Sequence, residues 1–331
     1  DETTVIRKNI SVSTGWNKYI IPIPDPSKLT QERGMLRYAT GGINGFGFTF
    51  WIDELKFEKL TTLSNKTPFM QGGNDDNGIA FIGQKLSISD LGVSVTIENG
   101  SEVRANANSS YFSFSSSNAA VASVTSTDVV LEQPGQTVIT ASLAGVTAAG
   151  SLNVTSVDLA PVPTQDAANV ISVFSDTYTN TAVDYYNGYW APFQTTQGQD
   201  DVEINGNKLI KYTELNFVGI EFQGAKTIDA SSMTHFHIDI YLENPLKSGD
   251  FLTLKLQDIG SDNAFGGFDP AGEMRLTSTS NPALANGGWI SVDVPFSRFP
   301  GLSSRANLAQ IVFVSDATVK SIYVDNIYFH N

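Results

Sequence analysis

The chain reads as an all-β protein built from several β-sandwich units, and three observations predict this. Apolar and polar residues alternate in short runs, as in Tyr19-Ile20-Ile21-Pro22-Ile23 and Phe46 to Phe57, the period of half-buried strands. Clusters of Gly, Asn, Ser and Thr punctuate these runs as turns. No segment carries a convincing amphipathic helical period; Thr30 to Arg37 supplies one or two turns at most.

At 331 residues the chain exceeds the usual size of one domain. It contains no run of eighteen apolar residues of the kind that spans a bilayer as a helix. The opening Asp1-Glu2-Thr3-Thr4 has neither the basic nor the apolar region of a signal peptide. With no cysteine, disulfides, thiolate chemistry and Cys-ligated zinc are excluded. A net charge of −14 argues against nucleic acid, which demands a basic face, and leaves calcium open.

Residues 1–60 read as three or four strands, of which Gly45 to Phe57 is the most strand-like. This segment has a counterpart at the far end. Trp51, Asp53, Leu55 and Phe57 align with Tyr323, Asp325, Ile327 and Phe329, and Trp16 and Pro22 with Trp289 and Pro295. Trp16 and Trp51 are 35 positions apart, Trp289 and Tyr323 34, so the copies differ by one residue. The first copy holds only the final strands of the second, and the expectation is that its remaining strands lie upstream of this sequence.

Residues 61–80 are rich in Gly, Asn and Asp and read as a linker. From residue 79 to 157 seven short strands are expected, over Leu86–Ile88, Val93–Ile97, Tyr111–Phe114, Val121–Val124, Val129–Leu131, Thr137–Ser142 and Gly150–Val154. The Ser-rich turn Ser115-Ser116-Ser117, the run Val121-Ala122-Ser123-Val124 and the run Gly135-Gln136-Thr137-Val138-Ile139-Thr140-Ala141 resemble the bacterial Ig-like domain of group 2. The resemblance implies a spacer. Leu159 to Thr164 is a Pro-spaced linker, and strands and turns alternate from 165 to 331.

Asp184-Tyr185-Tyr186-Asn187-Gly188-Tyr189-Trp190-Ala191-Pro192-Phe193 places five aromatic rings on turn-forming backbone. Exposed rings of this kind favour association, and a sugar ring is a partner suited to flat, partly polar aromatic faces. A second loop, Asp262 to Asp269, adds Phe265 among glycines that allow close backbone approach, and Gln257 and Asp258 lead into it with hydrogen-bonding groups. Trp190 is the expected stacking platform, with Tyr186, Tyr189, Phe265, Gln257 and Asp258 around it. Trp289, repeated by Trp16, is assigned to structure. His235 and His237 share one face of a strand with Asp239, but zinc needs further ligands, so they read as hydrogen-bonding residues.

The C-terminal 170 residues or so resemble the jelly-roll carbohydrate-binding-like modules of secreted glucanases and surface glycan-binding proteins of Bacteroidetes. The resemblance is carried by Asn169 to Asn180, Met233 to Asp239, Trp289 to Pro295 and Tyr323 to Phe329. It implies a partial jelly roll over 1–60, the Ig-like sandwich over 79–157 and a complete jelly roll over 165–331. It also implies non-catalytic binding of a polysaccharide, a β-glucan such as laminarin, at the cell surface beside other components of a glycan-uptake complex. In such modules the closing strand contributes an aspartate to a structural calcium, which carries over to Asp325, with Asp176 at the other end. No Glu-x-Asp-x-Glu run of a sandwich glucanase occurs, and three histidines offer little for a triad. The competing expectation is a spacer or accessory region of a longer glycoside hydrolase or adhesin with no ligand of its own.

Overall fold

The structure, a computed structural model, describes residues 3–30, 34–42, 45–266 and 268–331. It is nearly all β and divides into two compact units, Asp1–Ser156 and Val157–Asn331.

The first unit begins with β1 (Val5–Ile6), β2 (Ser64–Phe69), β3 (Asp75–Phe81), β4 (Lys85–Ser87), β5 (Gly92–Thr96) and β6 (Glu102–Ala107). It continues with β7 (Ser113–Ser116), β8 (Ala122–Thr125), β9 (Asp128–Leu131), β10 (Gly135–Leu143), β11 (Val146–Thr147) and β12 (Ser151–Val157). They form three sheets, β1–β6–β5–β2, β11–β10–β12–β3 with β7 on β10, and β4–β9–β8. Met70, Tyr111, Leu131, Ile139 and Leu143 are among the largest side chains of the shared core.

Two expectations are corrected here. Residues 61–80 are not a linker: they hold β2 and β3, and Phe69, Met70 and Ala80 are buried. Their glycines serve a turn instead, Gly72 and Gly73 having φ of 65° and 93°. Gly45 to Phe57 is not a strand, and among the described residues none occurs between Ile6 and Ser64. A strand exists only with an edge to pair to, and among the described residues no strand pairs with this segment. Trp51 is therefore 76% exposed where its repeat partner Tyr323 is 9% exposed. The helical turns expected at Thr30 to Arg37 fall partly outside the described residues.

The second unit contains β13 (Val170–Phe174), β14 (Val202–Ile204), β15 (Asn207–Tyr212), β16 (Phe217–Glu221) and β17 (His235–Leu242). After these come β18 (Phe251–Asp258), β19 (Ala271–Thr277), β20 (Trp289–Pro295), β21 (Leu308–Val314) and β22 (Ile322–His330). One sheet runs β14–β15–β22–β17–β20, with β13 also on β22; the other runs β16–β21–β18–β19. Neighbours are antiparallel yet mostly not consecutive in sequence, so the two sheets form a jelly-roll-like sandwich. Alternation puts Phe236, Ile238 and Ile240 of β17 and Leu252, Leu254 and Leu256 of β18 into one core with Ile311, Phe313, Val324 and Phe329.

The Pro-spaced stretch after residue 157 is not free. Trp289 Nε1 donates to the Asp158 carbonyl at 2.9 Å, and Asn326 Nδ2 to that of Pro161 at 3.0 Å, fastening it to the second unit.

The repeat makes a paired test. Phe329→Ala, at a fully buried position, is expected to lower stability by about 3–5 kcal/mol. The same change at exposed Phe57 is expected to stay within about 0.5 kcal/mol. Urea midpoints of the two variants against the parent measure both.

Candidate functional site

In β16 the core residues Val218 and Ile220 alternate with Phe217, Gly219 and Glu221, which face away from the sandwich interior. Register carries this outer face across the sheet. Glu221 stands opposite Gln310, then Gln257, then Ala271. The next row is Gly219, Val312, Lys255 and Glu273, and the third is Phe217, Val314, Thr253 and Arg275.

The aromatic loop folds over the β16 edge of this face. Tyr185 bridges to Glu221 as an antiparallel pair. The six-membered ring of Trp190 lies over Gly219, where an added Cβ would stand 2.2 Å from it, and its Nε1 lies against Gly188. Phe217 stacks beside it with ring centres 6.1 Å apart. Only glycine at 219 lets the indole lie this close to the sheet.

Polar groups hold the loop in place. Asn187, itself buried, accepts from Tyr189 N at 2.9 Å and Gln194 Nε2 at 2.6 Å, and donates to the Gly198 carbonyl at 2.8 Å. Trp190 N donates to Gln194 Oε1 at 3.0 Å, and Asn216 Nδ2 to the Phe193 carbonyl at 2.8 Å. Asp184 pairs with Lys226. The indole is thus set in position before any partner arrives, which lowers the ordering cost of binding.

Glu221 is 5% exposed. Its Oε2 accepts from the Tyr185 hydroxyl and, at 2.9 Å, from Gln310 Nε2. Burial, followed by the bond to Glu221, pushes the Tyr185 phenol up to about 12, so it remains a donor at neutral pH.

The expected site residues separate. Trp190 and Gln257 lie on this one face, about two strand spacings (~10 Å) apart. Tyr189 is exposed on the loop before Trp190, and Phe265 is exposed on the β18–β19 loop, beyond Gln257. Two assignments are wrong. Tyr186 belongs to the core: its ring meets Phe174 edge-on and its hydroxyl donates to the Val173 carbonyl at 3.1 Å. Asp258 is fully buried, since it follows the outward Gln257. Its carboxylate accepts from Gly260 N at 2.8 Å, Asn307 N at 2.9 Å and Ser304 Oγ at 3.1 Å, and so fastens a turn. Sequence reasoning missed Tyr185, Glu221 and Gln310. The signal was one polar residue at an outward position of Phe217–Glu221 and of Leu308–Val314, but their juxtaposition is a matter of register.

Asp325 is buried, taking hydrogen bonds from its neighbour Asn326 N at 2.7 Å and from the Asn207 side chain. Burial first, then Asp176 and Asp239 nearby, push its carboxyl up to about 7. Asp176 accepts from Lys208 N at 2.5 Å. Asn207 Oδ1 is buried without a hydrogen-bond partner. The three histidines meet on the outer face of the other sheet, His235 stacked on His330, and His237 between Asp239 and Asp293 at 3.5 Å from each. Among the described residues no group of three His, Asp or Glu side chains could hold a metal ion by itself.

No family model and no curated protein matches the chain. Solved structures with a similar outline include a family 11 carbohydrate-binding module from Clostridium thermocellum, in complex with a β-1,3-1,4-mixed-linked tetrasaccharide. It is 17% identical, covering 49% of this chain and 96% of its own, with a TM-score of 0.35. The family 30 carbohydrate-binding module of a cellulosomal cellulase from the same organism is 13% identical, covering 49% and 97%, with a TM-score of 0.35. A third similar structure, described as bearing on the promiscuous specificity of modules of the β-sandwich superfamily, is 11% identical over 81% of this chain and 99% of its own, TM-score 0.31.

Gly219→Ala is expected to displace the indole. Overpacking of this kind costs about 1–3 kcal/mol, and a red shift of Trp190 emission together with a lowered melting temperature would register it.

Proposed function

We propose that residues 157–331 bind a polysaccharide without catalysis, and that the chain rests along the outer face of β16–β21–β18–β19. The observation that carries this is Trp190, fixed over Gly219 beside a row of hydrogen-bonding side chains, Glu221, Gln310 and Gln257. A ring for stacking next to outward amides and a carboxylate is the combination that grips the C–H face and hydroxyl edge of a sugar. Each stacked ring contributes ~1–2 kcal/mol by analogy with other aromatic contacts, so two or three subsites give micromolar to millimolar affinity.

The only carboxylates at outward positions of this sheet, among the described residues, are Glu221 and Glu273. They lie three strands apart, about 14 Å. A glycosidase needs its pair within roughly 5–10 Å, which favours binding over hydrolysis. The finer reading, a β-glucan such as laminarin met at the cell surface in a glycan-uptake system, follows the sequence resemblance. The competing reading, a module that only spaces a neighbouring domain, is separated from it by affinity electrophoresis in laminarin, mixed-linkage glucan, xylan and alginate. The parent is expected to be retarded by a neutral glucan, and Trp190→Ala to weaken that at least about tenfold. No retardation by any polymer would leave the spacer.

We further propose a structural calcium held by Asp176 and Asp325 with Asn207 as a third side-chain ligand. The unpartnered Asn207 Oδ1 beside two carboxylates fits a hard cation, whose six to eight oxygens would be completed by carbonyls and water. Calcium there would offset the repulsion among Asp176, Asp239 and Asp325. Adding 1 mM calcium after chelation is expected to raise the melting temperature by several degrees, an effect lost in Asp325→Asn; an unchanged melting curve would count against the ion.

A further inference from the structure

We propose that Glu221 sets the specificity of the binding face, admitting neutral polysaccharides and rejecting those that carry uronates. The inference rests on the reading of that face as a glycan site.

Glu221 is an unusual residue for a sheet face because its charge is almost wholly removed from water. Both Tyr185 and Gln310 donate to the same oxygen, Oε2. Oε1 takes no hydrogen bond from any described residue, and it is not among the fully buried unpartnered atoms. The carboxylate is thus clamped by one oxygen while the other is left open to a ligand. Trp190 over neighbouring Gly219 places a stacked sugar within reach of that oxygen.

The two classes of polymer would meet this group differently. A neutral sugar brings hydroxyl donors, and a hydroxyl bond to a fixed carboxylate is charge-assisted and stronger than one to an amide. A uronate brings a second negative charge and fewer donors. With Glu221 only 5% exposed, like-charge repulsion is screened less than between fully solvated charges.

The cations of this face lie away from Glu221, two or three strands along the sheet and in other rows. Lys255 stands directly opposite Glu273 in the β18–β19 ladder. The Arg275 guanidinium lies over the Phe251 ring, 3.5 Å from its centre. No other Lys or Arg occupies an outward position of the four strands. Specificity here would come from a built-in repulsion together with an attraction.

The test uses laminarin and mixed-linkage glucan, each also in a form oxidised at C6 to the uronate, in affinity electrophoresis of the whole chain. The parent is expected to bind a neutral polymer at least tenfold more tightly than its oxidised form. Glu221→Gln keeps an oxygen for Tyr185 and Gln310 but turns an amide toward the ligand, and should narrow that ratio at least fivefold. Glu203→Gln, which removes the same charge from the exposed β14 position, should leave the ratio as it is and so separates a local effect from the net charge of −14. If Glu221→Gln does not fold, Glu221→Met takes its place, since it removes the charge at a similar side-chain length and should also narrow the ratio. Equal affinity of the parent for both forms, or a ratio unmoved by the variant that folds, overturns the role of Glu221 while sparing the binding function. Retardation by none of the four polymers overturns the binding function and this role with it.

Discussion

The pairing of β22 holds the second unit together. Every residue from Ile322 to His330 is buried, although the strand is the last in the chain. One edge pairs with β17, and the other is shared by β15 at its start and β13 at its end. Removing it would separate β14–β15 from β17–β20 and leave β13 without a partner. Ile322, Val324, Ile327 and Phe329 form the centre of the core on which the second sheet packs. Where the register shifts, Asn326 adopts φ 53° and joins Asp239, Ser175 and the Pro161 carbonyl, so one bulge fastens the strand, the loop after β13 and the entry segment.

Two buried carboxylates show how partners decide the meaning of a charge. Glu221 has a phenol and an amide donating to it, and Asp258 has two backbone amides and a hydroxyl. Both are compensated, the first with an oxygen left over and the second entirely. Asp325 has two donors, Asn326 N and the Asn207 side chain, but two further carboxylates lie beside it, so burial acts on it with little offset. An incompletely satisfied charge marks a place where another group fits, and a fully satisfied one marks structure.

Much of the second unit was legible because strand alternation and turn residues are local. The repeat located the final strand and separated Trp289 from Trp190. The same repeat misled for Gly45 to Phe57, where an ideal strand pattern meets no neighbouring edge and leaves its aromatics exposed. The Gly-Asn run at 71–78 misled in the other direction, because glycine marks a tight turn between packed strands as readily as a linker.

What the residues alone determined was the all-β class, the aromatic loop and its tryptophan, since these depend on composition, period and turn chemistry over a few neighbours. Tertiary structure decided which tyrosine of the loop lies inside, that Asp258 fastens a turn, and that Glu221, Gln310 and Gln257 form one row beside Trp190. Those facts depend on register between strands up to about 90 residues apart in sequence. A slip of one residue turns every side chain to the opposite face, and only the packed core sets that choice.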